Sequence, residues 1–362
     1  MNARHCFQVK APGRVFLFGE HSDYLGLEVI SAAINRYITI RVTKRNDQQM
    51  IVNYLDLGEK DDFTLDKEVP YRHKRDYLRS AFNILRRKGI QPARGANLEV
   101  TGDIPIAAGL SSSSALSVAT VIAFAKLANC QLTTEEIAQF AFEAEVCEFN
   151  ESGGMMDHIA SAYGGIVHVD FGQTVKPNHI ETTLEGLVIG DSLEKKEDTV
   201  GDLKMIRETV EKGYQLLNRK IDEFDPNTTS LELVIQYSQD FPEHCKRMTR
   251  ATIRNRDLTR KALKILTKEL PNPAIIGKLI DEEHKLLRDE LRRSTKKIER
   301  MIEAAKEAGA IGCKINGSGG GGTILAYAPH YEQEVTEALK KVGGVPYQVE
   351  IANGPVVNTR RE

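Results

Sequence analysis

The chain has 362 residues, 41% hydrophobic and 28% charged, with Lys+Arg 49 against Asp+Glu 51 and a formal net charge of −2. That length allows one or two sizeable cores, and the charge balance excludes a global basic field for nucleic acid. Five cysteines (Cys6, Cys130, Cys147, Cys245, Cys313), odd in number and never in a Cys-x-x-Cys pair, argue against a disulfide framework or structural zinc and for a reducing cytoplasmic setting.

Met1 to Lys10 lacks the basic-then-apolar order of a secretory signal. An apolar Val15-Phe-Leu-Phe18 strand then leads into Gly19-Glu-His-Ser-Asp-Tyr24, so that Arg14, Glu20, His21 and Asp23 cluster within ten residues. Such a quartet after a buried run can hydrogen-bond a polyol from several directions. Ile38, Ile40 and Val42 alternate as in a half-buried strand. Strands are also expected at Met50–Leu55 and Asn97–Thr101, with a helix over His73–Lys88 between them.

Pro105 to Ala115 is a glycine turn feeding four serines, Ser111 to Ser114, at the start of an apolar helix that runs to about Leu127. Exposed amides and the helix dipole make such a terminus an anion site. Plain N-capping needs one serine; four exceed it. The run Ala115–Ala125 ends at Lys126 and is too short to cross a membrane. Thr133 with Glu136 forms a capping-box pattern opening a second helix to about Phe149. Glu145 lies on it, and Asp157 follows twelve residues later after Gly153-Gly154-Met155-Met156, opening a short helix through Ala162. An isolated aspartate is more often a cap. With His and Cys scattered, oxygen donors such as Glu145 and a serine hydroxyl suit magnesium rather than zinc. Cys147 and Cys313 are expected as small buried hydrophobes.

After a strand at Ile166–Asp170, the polar stretch from Lys176 to Thr183 suggests a boundary, giving an N-terminal domain over 1–180 and a C-terminal one over 181–362. Helical patterns dominate Gly201–Gly309. Gly317-Ser-Gly-Gly-Gly-Gly322 follows, preceded by Lys314 and leading into a strand at Thr323–Tyr327, a helix at Glu332–Lys341 and a strand at Tyr347–Ile351. Five glycines in six residues cost conformational entropy that close ligand approach or positive φ would compensate. A flexible linker is the alternative, though linkers are longer and are not bracketed by apolar strands. Helices segregated from mostly antiparallel strands make an α+β protein. No P-loop or dinucleotide fingerprint occurs.

These three stretches, Ala11–Gly26, Pro105–Ala119 and Lys314–Leu325, in this order, resemble the motifs of the GHMP kinase family, and within it the galactokinase branch. Gly13-Arg14, Gly19-Glu-His-Ser-Asp-Tyr24 and Gly154-Met-Met-Asp157 match that branch. Phe16, Leu25-Gly26-Leu27 and the glycine loop depart from it, the Phe-Leu-Phe before Gly19 and the glycine loop being similar to mevalonate kinases. The resemblance implies two α+β lobes, an N-terminal ribosomal-protein-like domain and a ferredoxin-like C-terminal one, with the site between them. It implies phosphoryl transfer from ATP with Mg2+ to a sugar hydroxyl, expected to be the anomeric hydroxyl of galactose or a related sugar, and neither nucleic acid nor membrane as partner. Gly109, Leu110, Ser111, Ser112, Ser113 and Ser114, with Gly317, Gly319 and Gly320, would bind ATP. Ser113 and Glu145 would bind magnesium. Asp157 and Arg14 would be catalytic, and Glu20, His21, Asp23 and Gly154 would bind the sugar. A mevalonate-type kinase and a catalytically silent sensor of ATP and sugar are the alternatives.

Overall fold

A computed structural model describes residues 5–105, 108–172, 175–195 and 198–361. Ile106 and Ala107 of the second motif therefore lie outside the described residues. Two sheets organise the chain. The first contains β1 (His5–Phe18), β2 (Val29–Lys44), β3 (Gln49–Tyr54), β4 (Glu59–Thr64), β5 (Ala96–Gly102), β6 (Ile166–Val169), β7 (Asn178–His179) and β12 (Val356–Arg361). Its main path runs β12-β1-β2-β5-β3-β4, with β6 and then β7 continuing from β2. Only β3 and β5 run parallel, as a helical crossover between them requires. That crossover is α1 (Tyr77–Arg87); α2 (Ser112–Leu127), α3 (Thr134–Phe142) and α4 (Met156–Tyr163) complete the helical layer. α2 is buried along most of its length and packs on β1 and β2, so its serine-rich start is delivered beside β1.

The second sheet, order β11-β8-β10-β9, is antiparallel throughout. It comprises β8 (Leu187–Asp191), β9 (Gly312–Asn316), β10 (Thr323–Tyr327) and β11 (Val345–Val349). Helices α9 (Lys296–Glu307) and α10 (Glu332–Lys341) cover it, a ferredoxin-like arrangement. A helical insertion, α5 (Thr199–Asn218), α6 (Leu231–Tyr237), α7 (Glu243–Leu266) and α8 (Pro273–Lys285), separates β8 from α9.

The expected cut at residue 180 falls between β7 and β8, but the chain crosses back: β12 pairs antiparallel with β1. The C-terminal strand thus belongs to the first sheet, because β1 otherwise presents an unpaired edge. Hydrophobic burial is also continuous across the lobes, with Leu187, Ile189 and Leu325 in the same cluster as Phe18, Ile34 and Val118. All five cysteines are free thiols; Cys313 is buried as expected, whereas Cys147 is exposed. Among the described residues no helix is long and apolar enough to cross a membrane.

Candidate active site

β1 does not run straight through the sheet. Its register with β2 shifts between Pro12 and Gly13 and again between Phe16 and Phe18, irregularities of the kind that re-aim side chains beside functional sites. At the first shift the 109–111 turn lies on the strand, and a Cβ on Gly13 would come within 2.7 Å of the Leu110 carbonyl oxygen. The Arg14 amide donates to that same oxygen at 3.1 Å.

Arg14 is buried and makes three side-chain bonds. Nε and Nη2 donate to the two oxygens of Asp157, each at 2.7 Å, and Nη1 donates to the Gly109 carbonyl at 2.7 Å. Asp157 is in the first turn of α4, where the helix dipole favours a negative charge. Ser111 precedes α2 with φ of 58° and makes no side-chain cap to its helix; its hydroxyl donates instead to Asp157 at 2.6 Å. Burial alone would raise the Asp157 carboxyl, but the charge and paired donors of Arg14, with Ser111, hold it below the ordinary range. A charged carboxylate is therefore maintained where the first two motifs meet.

Asp23 opens a short 3-10 turn, Asp23–Leu25. Its carboxylate accepts from the Met156 amide at 3.4 Å, and a Cβ on Gly154 would come within 1.9 Å of it. Gly154 is thus required by Asp23 itself. Burial and the nearby charge of Asp157 push the Asp23 carboxyl up to about 6. His21 is buried with φ of 62°, and its Nδ1 lies 2.7 Å from the Tyr24 hydroxyl.

Glu20, expected against a sugar hydroxyl, faces the other way. It is 1% exposed, pairs with the fully buried Lys314, and accepts from the Gly317 amide at 3.3 Å. Lys314 also pairs with Glu283 of α8 at 2.8 Å, and Glu283 accepts from the amides of Gly19 and Glu20 at 2.7 and 3.1 Å. Burial pushes the Glu20 carboxyl well up, against the opposing pull of Lys314. Glu20 in this structure therefore ties the end of β1 to β9 and α8.

Glu145 sits in a π turn, Glu143–Cys147, that interrupts the helix expected to run to Phe149. Its Oε2 meets His158 Nε2 at 2.8 Å and the Ser117 hydroxyl at 3.4 Å. Ser113 is one helical turn before Ser117, hence on the same face. A serine hydroxyl and a carboxylate beside a helix N-terminus are hard oxygen donors, which fit magnesium. Among the described residues no group of three or more His, Cys, Asp or Glu forms a metal cluster.

The glycine loop joins β9 to β10. Gly317 (φ of 78°) lies against Gly109, where a Cβ would come 3.1 Å from the carbonyl oxygen. At Gly319 and Gly320 the neighbour is Arg293, whose Nε donates to the Ser318 carbonyl at 2.8 Å and whose Nη2 pairs with Asp202 at 2.6 Å. The loop is held by protein rather than left as a linker. Sequence reasoning missed Glu283, Arg293, Asn316 and His158 as parts of this assembly. His158, adjacent to Asp157, and Asn316, adjacent to Gly317, could have been found by position; nothing local marks Glu283.

Three family models match the chain: the GHMP kinases N terminal domain over residues 76–165, the GHMP kinases C terminal over 261–345, and the galactokinase galactose-binding signature over 2–44. The mevalonate kinase of Thermococcus gammatolerans is 31% identical, covering 94% of this chain and 95% of the relative. Lactococcus lactis galactokinase complexed with galactose superposes with a TM-score of 0.86 at 22% identity, covering 97% of this chain and 95% of that one. Methanococcus jannaschii mevalonate kinase gives a TM-score of 0.73 at 23% identity, with 96% and 98% covered.

Proposed function

The chain belongs to the GHMP kinase family, whose members use ATP as phosphate donor, and from that premise we propose that it phosphorylates a monosaccharide hydroxyl, the anomeric hydroxyl of galactose or a related sugar. The observation that carries this reading is the pair of carboxylates, Asp157 and Asp23, brought together by Gly154 and the start of α4. Two acidic groups suit a neutral polyol whose hydroxyls donate to them, and they repel a hydroxy acid. The galactose-binding signature over residues 2–44 supports it.

Phosphoryl transfer asks for in-line positioning and charge neutralisation more than covalent help. The amides of the 109–114 turn and the start of α2 offer donors to the phosphates. Asp157 orients the acceptor hydroxyl and takes its proton late, since an ionised aspartate is a weak base. Arg14 keeps Asp157 ionised and adds positive charge beside the reacting oxygens. His21, Asp23 and the backbone of Gly154 bind the remaining hydroxyls. Ser113 and Glu145 would hold magnesium, which when bound neutralises charge on the transferring phosphate.

The identity with a mevalonate kinase favours a second reading, a hydroxy-acid acceptor. ADP release with Mg2+ and ATP, measured over a panel of monosaccharides and with mevalonate, separates the two. Turnover of galactose or another sugar with none on mevalonate supports the proposal. Turnover on mevalonate alone replaces it with the second reading, and sugar binding without ADP formation would make the chain a sensor.

A further inference from the structure

β9 is where the C-terminal lobe reaches into the N-terminal one. Residues two apart on a strand share a face, and Lys314 and Asn316 are both fully buried. Lys314 engages Glu20 and Glu283. Asn316 is more widely connected. Its Oδ1 accepts from the Phe16 amide at 2.9 Å, and its Nδ2 donates to the Gly109 carbonyl at 2.8 Å and lies 3.3 Å from the Thr323 hydroxyl. One side chain of the third motif thus touches β1 of the first and the turn of the second.

The Gly109 carbonyl receives two donors, Asn316 Nδ2 and Arg14 Nη1, which together use both of its lone pairs. Gly109 has φ of 86°, and glycine offers little steric resistance to rotation of the following peptide. That peptide is planar and trans, so the Gly109 carbonyl and the Leu110 amide point in opposite directions. Clamping the carbonyl against Arg14 and Asn316 therefore aims the Leu110 N–H away from them.

We propose that Asn316 is a positioning residue for the donor phosphates: it locks the peptide between Gly109 and Leu110 in the orientation that presents the Leu110 amide to them. This rests on the reading of the 109–114 turn as the phosphate site. The two bonds from Arg14 to Asp157 do not involve Asn316, so the acceptor side is expected to be independent of this lock.

Two substitutions test it. Asn316→Asp retains shape and the acceptor for Phe16 but loses the donor to Gly109; Asn316→Ser withdraws from both and decides the matter where the aspartate variant does not fold. MgADP affinity of the full chain by titration calorimetry should fall about tenfold, and kcat at least as far. Affinity for the best sugar, measured without nucleotide, should stay within about twofold of wild type. In the MgADP complex, hydrogen exchange at the Leu110 amide should be slow in wild type and fast in the variants. A merely structural asparagine would lower Tm while leaving nucleotide affinity and Leu110 exchange as in wild type below the transition, and that result overturns the lock. If the wild-type chain itself fails to bind MgADP, the phosphate reading of the turn falls and this inference falls with it. If wild type binds and the folded serine variant binds as tightly, only the inference is lost.

Discussion

Asp157 and Glu20 are both carboxylates paired with a cation far off in the sequence, Arg14 at a separation of 143 residues and Lys314 at 294. Their surroundings differ. The Asp157 side chain keeps 27% of its exposure, while the Glu20 side chain keeps 1% and shares its cation with a second buried carboxylate. At Asp157 the cation and hydroxyl outweigh burial and hold the group ionised; at Glu20 burial wins. Attraction between charges grows as water is removed, but the desolvation penalty can exceed it, and a lysine shared between two carboxylates cannot fully compensate both. A paired carboxylate with one open face keeps its charge for a substrate. A sealed one joins segments.

The largest effect expected from this contrast is at Asp157. Asp157→Asn should lower kcat by about 10³-fold or more, with MgADP affinity by calorimetry within about threefold of wild type. Glu20→Gln should cost under tenfold in kcat and show itself in the thermal transition. Equal losses of kcat in both variants, with unchanged melting of Glu20→Gln, would break the comparison and return Glu20 to the substrate.

The seam itself supplies the next effect. Lys314→Met leaves Glu20 and Glu283 facing each other without a cation, and removing one partner of a buried ion pair costs about 3–5 kcal/mol. Scanning calorimetry should show a marked fall in Tm, partly recovered by adding Glu283→Gln, which removes one of the two acidic groups while keeping an oxygen for the Gly19 and Glu20 amides. A Tm unchanged in Lys314→Met would mean that the cluster contributes no net stability.

Much of this was legible because local chemistry announces itself. Thr133 and Glu136 form both bonds of the capping box, and Arg14, Asp157 and Ser111, each singled out in the sequence, meet. Other parts were hidden for physical reasons. β8 is buried along its whole length and β9 likewise, so neither shows the alternation that betrays a half-buried strand. β4 reads Glu-Lys-Asp-Asp-Phe-Thr and β12 is mostly polar, because both are edges, where charge is tolerated and discourages further pairing. Glu20 stands in a polar quartet whose sequence suggests polyol binding, and only the fold brings Glu283 and Lys314 against it. Ser111 was expected only at the ATP phosphates; its backbone is left-handed and its hydroxyl donates to Asp157.

A smaller effect tests the acceptor side by pH. The groups around the Asp23 carboxylate are Asp157, which raises its pKa, Arg14, which lowers it, and the Tyr24 and Met156 amides; burial is the largest influence, and the result is about 6 against an ordinary value of 3.8. A carboxyl raised by folding binds its proton more tightly in the folded chain, so its favourable contribution is complete below pH 3.8 and is lost as pH rises through about 6. Recognition has the opposite sign, since sugar hydroxyls donate to the ionised form. Between pH 7.5 and 5 the sugar KM should therefore rise, approaching tenfold per unit below 6, while kcat, which depends on Asp157 with its lowered pKa, holds through the same window. Asp23→Asn should abolish the pH step, raise the sugar KM at every pH and melt higher than wild type at pH 7.5. A wild-type KM that stays flat down to pH 5 would remove Asp23 from sugar recognition and leave Asp157 as the lone acceptor-side carboxylate.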